Sequence, residues 1–274
     1  MLSLNTAFKK VYEKELESYG FKKVKGKQPY FAKVVGDEIV HVITVIPEPT
    51  IMPGEKRYGI YGGVATVYRP LINFNITPRD NRNWLISNLY VCRDTDVLKE
   101  KSLQSIKECD FYYMTDNEES LLKSMENSVG ITKKYLMKEL SKVDSLSSCI
   151  EYYEFFHSSN VLYFNPKKPF FDDDEYYEGL INFKVFGIEN FVNHTKEHLE
   201  EMCERMIHMI EKGMVGGTLE SFKEEQKEYE EEAEKRIAIF KRYVDDKHLY
   251  TIIQDELESR KEKNTEVLRK YNLI

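Results

Sequence analysis

The chain has 274 residues, 41% hydrophobic and 32% charged, with 40 Lys+Arg against 47 Asp+Glu and a formal net charge of -7. That apolar content can build a sizeable core and excludes wholesale disorder, while 13 Gly and 4 Cys exclude collagen-like and disulfide-scaffold classes. The length suits one large domain or two small ones.

The opening stretch, MLSLNTAFKKVYEKEL, has no apolar run behind a basic start, so it does not read as a signal peptide. No segment approaches the roughly 18 consecutive apolar residues of a membrane span, and no membrane partner is expected. Cys92, Cys109, Cys149 and Cys203 lie far apart, with no CxxC pair, as reduced, buried thiols do in a cytoplasmic protein.

Charge and proline divide the chain. Six of the eight prolines lie between Pro29 and Pro78, and none follows Pro169, which leaves the C-terminal part free to be helical. Residues 1–70 hold 11 basic and 7 acidic side chains, a balance of +4, while the other 204 carry -11. Two chemically different surfaces follow.

In chain order, Leu4, Ala7, Phe8, Val11, Tyr12 and Leu16 recur at helical steps, with Ser3 or Asn5 to cap the start and Gly20 to end the helix. Four strand-like runs follow, over 21–25, 29–35, 38–46 and 57–68, rich in β-branched and aromatic residues. Gly36-Asp37 suits a tight hairpin turn. Ile39–Ile46 is apolar on both alternating sets, so it should be an inner strand covered on both faces, one of them by the first helix. A further strand is expected within 84–92.

From about Asp96 the period becomes helical: Val97–Cys109, Glu118–Leu140, Ser145–Phe156 and Glu189–Glu211 read as helices. Gly179–Phe186 alternates weakly, as a strand or a loop. After Gly213, Gly216 and Gly217, Ser221 to Glu224 fits a capping box for a helix that Asp245-Asp246 interrupts and Leu249–Tyr271 continues. Gln226, Arg260 and Asn264 dilute the apolar seam of these last helices, which argues against a long independent coiled coil.

These elements predict an α+β fold. An N-terminal helix lies on a small, mainly antiparallel sheet, followed by a larger helical portion with a C-terminal helical hairpin. The expected division is an α+β sheet domain over 1–95 and a mainly helical region over 96–274.

The first seventy residues, about a quarter of the chain, resemble a widespread group of bacterial domains of unknown function. The likeness rests on the amphipathic helix, the Gly20-Phe21-Lys22-Lys23 step and the aromatic-led strand Pro29-Tyr30-Phe31-Ala32-Lys33. It continues through the apolar strand Ile39–Ile46 and the glycine-rich Gly59-Ile60-Tyr61-Gly62-Gly63-Val64. The chain departs from the pattern by inserting Pro47–Pro53 before that last strand. The resemblance implies an α+β fold and a bacterial source; it carries no catalytic residues.

Several short motifs bear on chemistry. His194, Glu197 and His198 match the HxxEH pattern, in which two imidazoles one helical turn apart hold Zn²⁺ and the glutamate activates a bound water. No third ligand stands out, since Cys203 falls on the apolar stripe of the same helix. The bland alternative is two histidines on the flank of an amphipathic helix. Lys22, Lys23, Lys25 and Lys27, among Phe21, Tyr30 and Phe31, would suit nucleic acid if the lysines met phosphates and the aromatics stacked on bases. The aromatics are needed for the core, however, and the acidic balance of the whole chain opposes such a partner.

Asp172–Glu175 fails as a calcium loop, because tyrosines occupy the fifth and sixth positions. The glycines at 59, 62 and 63 match neither GxGxxG nor a P-loop and suit a bulge or a close approach. His41 faces Ile39, Ile43 and Val45, as a hydrogen-bonded core histidine would. The sequence therefore points away from an enzyme and calls for no cofactor, zinc entering only through the HxxEH alternative. The expected role is a non-catalytic protein-interaction or accessory module with a protein partner; a metal-dependent hydrolase and a nucleic-acid binder are the alternatives.

Overall fold

The structure, a computed structural model, describes residues 2–49, 53–69, 71–79, 85–87, 111–115, 117–149, 196, 200, 203, 204, 206–213 and 216–274. The fold is α+β, with an N-terminal helix, an antiparallel sheet and further helices. The Cα positions divide the chain into two compact units, one of residues 1–67, 71–149 and 261–274, the other of 68–70 and 150–260. The expected boundary at 95/96 falls outside the described residues.

In the first unit, helix α1 (Leu4–Glu17) starts where Ser3 accepts a hydrogen bond from the Thr6 N–H. Gly20, at φ +81°, ends it in a Schellman turn: its N–H donates to the Glu17 carbonyl, and Phe21 N–H donates to Leu16. The sheet then runs β1 (Lys22–Lys23), β2 (Tyr30–Val35), β3 (Ile39–Glu48) and β4 (Glu55–Thr66), each antiparallel to the next. The β2–β3 turn carries Gly36 and Asp37 at φ +57° and +63°, as the Gly-Asp pair predicts. Two short strands, β5 (Leu85–Ser87) and β6 (Phe111–Met114), pair with the far edge of β4 at different levels.

Pairing of β3 with β4 is continuous from Ile39↔Thr66 to Glu48↔Arg57, so the glycine-rich segment contains no bulge. The close approach is real instead. A Cβ on Gly62 would lie 2.4 Å from Leu136 Cδ1, so only glycine admits that leucine.

All eight residues of Ile39–Ile46 are buried, as the doubly apolar run demands. Alternation and register place Phe31, Ile39, His41, Ile43, Val45, Tyr58, Ile60 and Gly62 on one face. That face meets α1, where the Phe8 and Phe31 ring centroids lie 5.4 Å apart. It also meets a second helical run of α2 (Glu118–Ile131), a π-helical turn (Thr132–Leu136) and α3 (Met137–Leu140).

The opposite face, with Tyr30, Ala32, Val40, Val42 and Ala65, is closed by two stretches far apart in sequence, 71–79 and 261–274. Phe74 joins them, its ring centroid 5.6 Å from that of Tyr30 and 5.3 Å from that of Tyr271. Asn264 is wholly buried there. Its Oδ1 accepts from the Ile72 N–H at 2.7 Å, and its Nδ2 donates to the Val67 carbonyl at 2.8 Å. A residue that reads as a defect in a helical seam is therefore a clamp with both ends satisfied.

In the second unit, α4 (Leu219–Asp245) begins one turn before the expected cap. Thr218 and Ser221 bond reciprocally, each side-chain oxygen accepting the other's N–H at 3.1 Å, so Ser221 completes the box that Thr218 opens. The described helical positions of 203–211 lie against α4, with Cys203 and Phe222 buried and Met206, Ile207, Ile210 and Tyr229 packed around them. The chain breaks at Asp246, as expected, and α5 (Lys247–Lys270) follows; its residues from 261 onward belong to the first unit.

Candidate functional sites

The lysine turn follows from β1. In a two-residue strand, side chains alternate, so Lys22 and Lys23 point to opposite faces of the sheet. Lys23 forms an ion pair with Glu13 of α1. Lys22 reaches the other way and donates to the Asn272 and Leu273 carbonyls at 3.0 and 3.2 Å. Lys9 of α1 donates to the Gly26 carbonyl at 2.8 Å, fixing the turn. Its pKa is lowered, first by burial and then by the nearby Lys23 charge.

Lys25 and Lys27 are exposed, whereas Phe21, Tyr30 and Phe31 are buried. The lysines thus lie around one turn, yet two of the four serve as fold contacts. The aromatics are committed to the core, which leaves none of these three rings free to stack on a base.

A hydroxyl cluster sits between α1, α2 and β4. Ser124, Ser128 and Thr132 follow one another at four-residue spacing and so line one ridge of the second helical run. Tyr12 lies 2.7 Å from the Ser128 hydroxyl and 2.9 Å from that of Thr132, while Tyr58 lies 3.0 Å from Ser124. Because Ser128 donates its single proton to the Met125 carbonyl, Tyr12 donates to Ser128 and accepts from Thr132. Burial raises the pKa of Tyr12 and pushes that of Tyr58 up to about 12, so both stay protonated. The cluster works as a buried polar joint between helix and sheet.

His41, 4% exposed, donates from Nε2 to the Val143 carbonyl at 2.7 Å, which fixes that nitrogen as the protonated one. Burial brings its pKa down to about 4, opposed by the bond to Val143, so the ring is neutral near pH 7. This is the core histidine that its position in β3 suggests.

Tyr61 donates to Glu48 Oε1 at 2.5 Å from the opposite face of the sheet. A Cβ on Gly59 would sit 2.8 Å from the Tyr61 ring, so that glycine lets the ring lie along the strand. No local pattern in the sequence signals this pair, since Tyr61 and Glu48 meet only through the strand register.

In the second unit, α4 carries eight glutamates and two lysines over residues 220–234. Glu220, Glu224, Glu228 and Glu231 are all exposed, and at about 100° per residue they fall within an arc of about 80°. Phe222 and Tyr229, which pack against the 203–211 segment, lie on the opposite side of the helix.

His194, Glu197 and His198 lie outside the described residues, as do Asp172–Glu175. Among the described residues, no group of three or more His, Cys, Asp or Glu side chains is placed to hold a metal ion. Among the same residues, no helix is long and apolar enough to cross a membrane. No family model, no curated protein and no solved structure matches this chain.

Proposed function

We propose that the protein is a non-catalytic interaction or accessory module of the bacterial cytoplasm that recognises a positively charged protein through the acidic stripe of α4. The observation that carries this reading is the stripe itself: four exposed glutamates on one side of a helix whose other side is packed. Like charges at four-residue spacing oppose the helix that bears them by a few tenths of a kcal/mol per pair, while Lys223 and Lys227, three residues after Glu220 and Glu224, offset part of that cost. A basic partner would relieve that repulsion, and opposite charge would steer the encounter. The uneven charge of the chain, +4 over residues 1–70 and -11 over the rest, supports a segregated surface of this kind. The buried thiols of Cys149 and Cys203 accord with a reducing compartment.

The test is comparative capture from native lysate by the wild-type protein and by the quadruple variant E220K/E224K/E228K/E231K. The wild type should retain a defined basic protein that the variant loses, with an association rate that falls steeply as salt rises. Identical capture by both proteins, or binding indifferent to salt, would overturn the proposal.

A further inference from the structure

We draw no further inference here: the strongest candidate, the open groove where α4 gives way to α5, lined by Ala238, Lys241, Asp245, Asp246 and Lys247, rests on an acidic pair and a helix N-terminus, and among the described residues nothing points to a ligand.

Discussion

Replacing His41 with glutamine keeps a donor for the Val143 carbonyl but removes a buried imidazole that can gain a proton as pH falls. Burial depresses the folded-state pKa of His41 to about 4, against 6.5 when it is free. Lys33 opposes the charged form, and Asp144 and the bond to Val143 favour it. With the folded pKa below the unfolded one, the unfolded chain binds the extra proton. Stability is therefore full above pH 6.5 and is lost as pH falls towards 4. The interval of 2.5 units, at 1.36 kcal/mol per unit, gives about 3 kcal/mol in total, of which about 2 kcal/mol is lost by pH 5.

The measurement is equilibrium urea unfolding at pH 7.5 and pH 5.0, followed by circular dichroism, for wild type and His41→Gln. The other five histidines contribute equally to both proteins, so the difference in pH dependence isolates His41. The wild type should lose about 2 kcal/mol more than the variant over this range. Equal losses would refute the argument, because they would mean that the imidazole gains its proton as easily in the core as in water.

Three further outcomes follow from named contacts. Gly62→Ala should cost about 1–3 kcal/mol by driving a methyl group into Leu136, and pairing it with Leu136→Ala should recover part of the loss; strictly additive effects in the double-mutant cycle would contradict the contact. Asn264→Leu should cost about 2–4 kcal/mol, since it strands the Val67 carbonyl and the Ile72 N–H, and amide exchange at Ile72 should accelerate with it; unchanged exchange would show that the hydrogen bond from Ile72 to Asn264 is absent. Protein purified without chelator or a metal-affinity tag should hold no stoichiometric zinc, and zinc that is lost on replacing His194 and His198 would instead establish a metal site at the HxxEH motif, the first requirement of the hydrolase alternative.

Local structure was legible wherever a short stretch carries its own instruction. The amphipathic period of α1, the Gly20 stop, the Gly36-Asp37 turn and the doubly apolar β3 are decided within a few neighbours, and each is found in place. β6 went unread although Phe111-Tyr112-Tyr113 has strong strand preference, because four residues are too few to show a period. α4 starts one turn before the Ser221 box suggests, because Ser221 can serve either as the first or the last member of a capping box.

What the sequence could not convey were partnerships across long stretches of chain. Nothing near Lys22 indicates that carbonyls some 250 residues away will engage its charge, and nothing near Asn264 indicates that it will join Val67 to Ile72. The same limit applied to function. The lysines were visible as types and counts, but which of them serve the fold depended on three-dimensional placement.

The two-residue strand β1 stands at one end of the sheet order, where exposed backbone groups invite another strand to add on. Its shortness and its two lysines are the features by which natural sheets discourage such growth. Each lysine is also anchored to a different layer, one through Glu13 and the other through the terminal carbonyls, so the strand is stapled from above and below. Residues that first look like a grip for nucleic acid are thus placed where a sheet is open to edge-to-edge growth, and neutralising both Lys22 and Lys23 should raise the tendency to such assembly.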